Sequence, residues 1–194
     1  MAKPLSEEKR RALLDAALVA VSELGLSAPT ARIAKLAGVG DGTLFVYFST
    51  KEHLFNHLYL YIKSDFRRAA NVDPGGAVET ELKNFWSAYI DWGMKCPEKY
   101  RVARYLNSWD KLLDETRVSS WELFSDFRHL VRAGVEQKIL RHQPEEFIGQ
   151  LIDSIANMVL EHCQGQPQET TEWRSLGWQA FWNSVRTRGQ KVSR

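Results

Sequence analysis

Between Thr30 and Phe48 the chain reads TARIAKLAGVGDGTLFVYF, a stretch that leaves its backbone few choices. Two short helical patterns are joined there by Gly38, Val39 and Gly40. Thr30 is placed to cap the first by accepting a bond from an orphan backbone N–H. Ile33, Ala34 and Ala37 give that helix a small apolar face. Gly38 suits a left-handed terminal position, where a Cβ would cost free energy. In the second helix Leu44 and then Tyr47 or Phe48 fall on the inner side. A small Ala34 permits a close crossing, so the spacing predicts a helix-turn-helix; a plain helical hairpin is the alternative. The outward positions, Asp41, Gly42, Thr43, Phe45 and Tyr47, are small, hydroxylated or aromatic, and Lys51 follows where a cation could meet a phosphate.

Helical spacing continues throughout, and no alternating strand pattern appears. Ser6 is placed to cap a first helix running to Gly25, with Glu7 and Glu8 in its favoured first turn and Leu14, Ala17, Leu18, Val21 and Leu24 inward. Lys3, Lys9, Arg10 and Arg11 cluster at its start, as a solvated face or as phosphate contacts. A helix from about 51 to 70 carries Leu54, Leu58, Tyr61 or Ile62, and Phe66. The segment NVDPGG (71–76) is the clearest break. Helices then follow at about 76–95, ended by Cys96-Pro97, and at 98–110. A single helix at 115–138 turns Trp121, Phe124 and Phe127 inward. The last two, at 144–162 and 170–188, are lined by Phe147, Leu151, Ile152, Ile155 and Val159, and by Trp173, Leu176, Trp178, Phe181, Trp182 and Val185. That makes nine helices.

Composition narrows the class. The 194 residues are 44% apolar and 26% charged, with no run long enough to span a bilayer and no export signal in MAKPLSEEKRR. The net charge of +2 is uneven. Residues 1–70 hold ten Lys and Arg against seven Asp and Glu, whereas 71–194 hold sixteen against seventeen. The positive excess therefore sits with the helix-turn-helix. Cys96 and Cys163 lack CxxC spacing and read as reduced thiols. His53 and His57, four apart, lack a third ligand at a metal-binding spacing, so neither metal nor cofactor is expected. No nucleophile with a base, paired carboxylates or phosphate loop suggests an enzyme.

With the helices laid out, LLDAALVAVSELG and TARIAKLAGVGDGTLFVYFSTKEHLF resemble the N-terminal signature of the TetR family of transcription regulators. The remainder resembles its RamR-type multidrug-sensing repressors through LYLYIKSD (58–65), FWSAYIDWG (85–93) and GWQAFW (177–182). The resemblance implies an all-α, TetR-like fold: a three-helix DNA-binding domain over 1–50 and a ligand-binding and dimerisation domain over 51–194. It implies DNA contacts at Thr30, Arg32, Gly40, Asp41, Gly42, Thr43, Phe45, Tyr47 and Lys51. Asp41 departs from the basic or polar residue usual there, so the operator sequence does not follow by analogy. It implies a ligand site from Tyr59, Lys63, Trp86, Tyr89, Phe127, Gln150 and Asp153, whose carboxylate among aromatics favours a lipophilic, cationic inducer. A homodimer would form through Ile155, Met158, Val159, Trp178, Phe181, Trp182 and Val185, although these stripes also read as intramolecular core. The implied protein is a cytoplasmic, nucleoid-associated repressor, released from a palindromic operator by a small molecule and controlling efflux. An activator or an unliganded DNA-binding protein of the same fold is the alternative, and an enzyme with a borrowed helix-turn-helix a remote one.

Overall fold

The computed structural model describes residues 6–187, and their regular structure is helical apart from one isolated bridge between Leu140 and Arg186. In chain order the helices are α1 (Glu7–Leu24), α2 (Thr30–Leu36), α3 (Asp41–Tyr47), α4 (Lys51–Ala69) and α5 (Val78–Lys95). There follow α6 (Pro97–Asn107), α7 (Asp114–Glu122), α8 (Ser125–Glu136), α9 (Glu145–Gly165) and α10 (Thr170–Val185). Short 3-10 turns occupy Gly25–Ser27 and Pro167–Glu169. No helix among the described residues is long and apolar enough to cross a membrane.

The all-α class agrees with the sequence, but ten α-helices are described where nine were expected. The 115–138 segment is two helices, because Phe124 leaves the helical basin at φ −105°, ψ 33°. Its ring packs edge-on against Phe85, with centroids 6.2 Å apart. Trp121, Phe124 and Phe127 keep helical spacing across the break, so periodicity alone hides it.

Contacts divide the chain into two compact units, one running up to Phe66 with Cys96–Leu123 added, the other comprising Arg67–Lys95 and the chain from Phe124 onward. In the first unit α1 buries Leu13, Leu14, Ala17, Leu18 and Val21, and α4 buries Leu54, Phe55, Leu58 and Ile62. Ser6 caps α1 through Lys9 N, and Gly25 ends it at φ +66°. Leu24, expected inward, is exposed there. The later segment joins this unit because α6 packs on α1 and buries Val102 and Leu106. A buried amide fastens its far end. Asn56 Nδ2 donates to Glu52 O (2.9 Å) and Lys111 O (3.2 Å), while its Oδ1 accepts from Leu113 N (3.0 Å). With donors and acceptor matched, its burial carries no unpaired group. Glu52 also pairs with Lys111 at 2.8 Å, holding the carboxyl below and the ammonium above their usual ranges.

In the second unit α9 lies between α5 and α10, and α8 packs on α5 and α9. Its buried stripe is Ile148, Ile152, Ala156, Val159, Leu160 and Cys163. Phe147, expected inward, is exposed because the buried stripe of α9 is set one residue later, and Leu176 is exposed because α10 buries Gly177, Trp178, Phe181 and Val185 instead. Beyond α8, Lys138 adopts φ +59°, and Leu140 N donates back to Gly134 O at 2.9 Å. The chain then pairs with the end of α10 through Arg141 N to Val185 O (2.8 Å) and Thr187 N to Ile139 O (2.9 Å). The expected extension of α10 to residue 188, and Lys3, lie outside the described residues.

Gly177 sets the approach of α10 to α5 and α9. A Cβ there would stand 2.6 Å from Trp86 Cζ2 and 2.7 Å from Val159 Cγ2, both buried. A rigid indole cannot yield as a long side chain would. Gly177→Ala is therefore expected to destabilise the protein by about 1–3 kcal/mol, read as a lower urea midpoint. Gly165→Ala, where nothing lies within 4 Å, is expected to leave the midpoint unchanged or slightly raised.

Candidate nucleic-acid interface

Helix α2 begins after Pro29, which takes the N-cap position at φ −71°, ψ 141° with no side-chain cap bond. Thr30 is therefore the first helical residue and not the cap: the proline already supplies the extended entry. Ile33 and Ala34 are fully buried. At the C-terminus Ala37 N donates to Ile33 O (2.9 Å) and Val39 N to Ala34 O (3.0 Å), with Gly38 between them at φ +68°. Nothing lies within 4 Å of a Cβ on Gly38, so its dihedral, rather than crowding, calls for glycine. The turn delivers the chain to Gly40, which precedes α3.

Helix α3 hangs on two side chains. Leu44 is fully buried, and Phe48, just past the helix, is buried as well. The opposite face is bare: Asp41, Gly42, Phe45 and Val46 are exposed, with Thr43 and Tyr47 half-buried at its margins. Neither Gly40 nor Gly42 has a positive φ, and a Cβ on either would meet nothing within 4 Å. The fold thus has no need of glycine at these positions, while Gly42 lowers helix propensity by about 1 kcal/mol relative to alanine. Bare backbone on an exposed helix face suits close approach by another molecule. Asp41 stands in the first turn, where the helix dipole favours a carboxylate.

The remaining predicted contacts flank this face. Tyr47 Oη accepts from Ser6 N at 3.0 Å, leaving its own O–H to donate elsewhere. The Lys51 ammonium lies 5.2 Å from the Phe55 ring, and desolvation pulls its pKa down. Arg32 is paired with Glu23 at 3.3 Å, which had no place in the sequence reading.

Sequence reasoning missed the cluster behind α3. The Arg10 guanidinium sits 5.1 Å over the Phe48 ring, and Arg10 Nη2 lies 3.0 Å from His57 Nδ1. Both His53 and His57 pack on Phe48, and their Nε2 atoms are 2.9 Å apart. The one sequence signal was the four-residue spacing of the two histidines. Among the described residues no group of three or more His, Cys, Asp or Glu could hold a metal.

The seven expected ligand residues fall in different units. In the first, buried Tyr59 donates to Asn107 Oδ1 (3.1 Å) and the Lys63 ammonium lies 5.6 Å from the Tyr59 ring. In the second, Trp86 Nε1 donates to Arg174 O (3.0 Å), and Phe127 stacks at a tilt on Phe85 with centroids 4.7 Å apart. Tyr89 donates to Asp153, which also accepts from Asn157 Nδ2 at 3.1 Å. Gln150 is exposed, whereas Trp86, Tyr89 and Phe127 are buried. Of the expected dimer residues, Val159, Phe181 and Val185 have no exposed surface and form core beneath that face. Trp178 is nearly buried and stacks on half-buried Trp182, while Ile155 is half-buried and Met158 exposed.

Comparison with known proteins bears on this arrangement. Residues 13–58 match the family described as bacterial regulatory proteins, tetR family. An uncharacterized HTH-type transcriptional regulator of Bacillus subtilis (strain 168), YhgD, is 31% identical over 68 residues, 34% of this chain and 36% of that protein. The match therefore spans about a third of that relative. A solved structure from Shewanella sp. PV-4, assigned to TetR family transcription regulators, has a TM-score of 0.85 and 26% identity, covering 93% of this chain and 99% of the other. A TetR family transcription regulator from Marinobacter aquaeolei VT8 shares the fold, with a TM-score of 0.82 at 24% identity over 94% and 97% of the two chains.

The His57 imidazole is pushed down to about 4, by burial first and then by the neighbouring Arg10 and His53. Folded, it stays neutral where the unfolded chain takes up a proton near pH 6.5. Its contribution to stability is thus complete above about pH 6.5 and is lost as the pH falls towards 4. The urea midpoint is expected to drop across that window, with a smaller drop in His57→Phe; equal drops would contradict this assignment.

Proposed function

We propose that this chain, whose residues 13–58 match the tetR family of bacterial regulatory proteins, is a DNA-binding transcription regulator that reads its target with α3. The observation that carries this reading is the pair Gly40 and Gly42, exposed at the N-cap and in the first turn of α3, where neither backbone nor packing calls for glycine. With the backbone that close, Gly40, Asp41 and Gly42 would approach base edges in the major groove. Asp41 would accept from a cytosine N4 amine and oppose other contacts. Thr30, Thr43, Tyr47 and Lys51 would hold phosphates, setting register without choosing sequence. Phe45 would lie against the groove wall. Arg32 would have to leave Glu23 to join them.

One α3 reads too few base pairs, so the operator would be palindromic and bound by a homodimer, with half-sites about 34–36 Å apart. Ile155, Met158 and Trp182 are the accessible part of the proposed dimer face. The regulator would act as a repressor in the cytoplasm, at the nucleoid, and leave DNA when a lipophilic cation binds, as an efflux-controlling sensor does. Asp153 supports the cation, since Tyr89 and Asn157 give it neutral donors. Lys51, Tyr59 and Lys63 share α4, so a guest at the latter two would act along the helix towards Lys51. Such a guest must favour the DNA-incompetent conformation, or nothing shifts. Within α1–α4, reading and sensing would then share one rod.

The test is fluorescence anisotropy of the full chain on duplexes selected from a random library, at several salt concentrations. Lys51→Ala is expected to weaken all bound duplexes alike and to reduce the salt slope by about one unit. Thr43→Ala should act in the same direction. Failure of the wild-type chain to select any duplex at low salt would refute the reading.

A further inference from the structure

The polar atoms behind α3 form one connected cluster. A guanidinium donates and never accepts, so at the 3.0 Å contact His57 Nδ1 must hold a lone pair against Arg10. Neutral His57 then carries its proton on Nε2, facing His53 Nε2 at 2.9 Å. On the far side of the His53 ring the Ser49 N–H donates to Nδ1 at 3.2 Å, and Ser49 Oγ stands 3.3 Å from the same atom. The contacts lead from Arg10 through His57 and His53 to Ser49. They run from α1 across α4 to the residue following Phe48.

These contacts end where the DNA face begins. Ser49 and Thr50 link α3 to α4, between Tyr47 and Lys51. Thr50 Oγ1 accepts from the backbone N–H of His53 at 3.0 Å, while the His53 ring holds Ser49. Four residues before Arg10, at the N-cap of α1, the Ser6 N–H holds Tyr47 Oη. Helix α1 thus grips the end of α3 at two points, while Phe48 fills the space between Arg10 and both imidazoles.

We propose that Arg10, His57 and His53 are positioning residues for DNA recognition, a hydrogen-bond relay that sets the Tyr47–Lys51 stretch in its binding geometry. The inference rests on the DNA-binding reading and extends it to three residues that touch no DNA in that reading. The relay has room for one proton on each imidazole. The charged and titratable groups facing His57 are Arg10 from α1 and His53 one turn earlier on α4. A further proton on the pair must break one of the two bonds and place a second cation beside Arg10.

The test uses the full chain as wild type, His57→Phe and His57→Gln. Phenylalanine keeps a ring on Phe48 but has no polar atoms. Glutamine offers a carbonyl to Arg10 and an N–H to His53. Without DNA, ¹⁵N spectra at neutral pH are expected to show the Nε2–H tautomer at His57. Amide exchange over residues 47–53 is expected to quicken about tenfold in the Phe variant and to recover in the Gln variant. On duplexes selected by the wild type, the Phe variant should bind about tenfold more weakly and the Gln variant within about threefold. The salt slope should not change, because no phosphate contact is removed. Unchanged exchange and affinity in His57→Phe overturn the inference. So does an Nδ1–H tautomer at both imidazoles that reverts on adding a chelator, which would mark a metal-holding pair. Recovery of no duplex by the wild type refutes the DNA reading, whereas the tautomers and exchange decide the relay separately.

Discussion

A helix of seven residues cannot hold itself together in water, because nucleation costs more than so few hydrogen bonds return. Helix α3 therefore exists because Leu44 and Phe48 are taken out of solvent. Phe48 matters more, since it lies past the last turn and fixes where α3 stops. Its ring meets an arginine from α1 and two histidines from α4, so one burial event locates three elements. The turn at Gly38 sets the other end through a dihedral that β-carbons resist. With both ends fixed from behind, the outward face is free to carry residues that do nothing for folding.

The second unit solves a different problem with different means. Its helices are long, and their approach is limited by side-chain bulk. Glycine answers this three times among the described residues: Gly93 against Leu160, Gly134 against Leu140, and Gly177 against Trp86. Each admits a large neighbour where a methyl would collide. In the first unit Gly25 and Gly38 adopt positive φ instead. The same residue type thus serves backbone freedom in one unit and packing in the other.

Local patterns were legible in the sequence where a local cause fixes them. Ser6 caps α1, Gly38 turns the chain, and Pro97 separates α5 from α6, each through a dihedral or hydrogen bond within a few residues. What stayed hidden depends on distant partners. The break at Phe124 answers to Phe85, and the inclusion of Cys96–Leu123 in the first unit answers to α1 and Asn56. Thr30 lost its cap to the proline before it, a competition decided by geometry rather than residue type. Phe147 was misplaced because α9 has apolar residues on adjacent stripes, and only the packing partner selects one. For the same reason Val159, Phe181 and Val185, whose hydrophobicity suits an interface equally well, turned out to be core. At the candidate site the exposed α3 residues were readable from spacing, whereas Arg10 and His57 are separated by 47 positions.

Helix α3 also runs against its own local chemistry. Gly42, Thr43 and Val46 are weak helix formers, and Phe45 and Val46 leave large apolar groups 46% and 64% exposed. A sequence selected for stability alone would place alanine, glutamate or lysine at those positions. Conflict between local preference and global fold tends to gather where a protein does its work, and the surrounding structure must then supply the missing stability. Here the supply comes from the buried side of the same helix and from the charged, hydrogen-bonded cluster behind Phe48. The strength of that backing explains how so short a helix tolerates so unfavourable a surface.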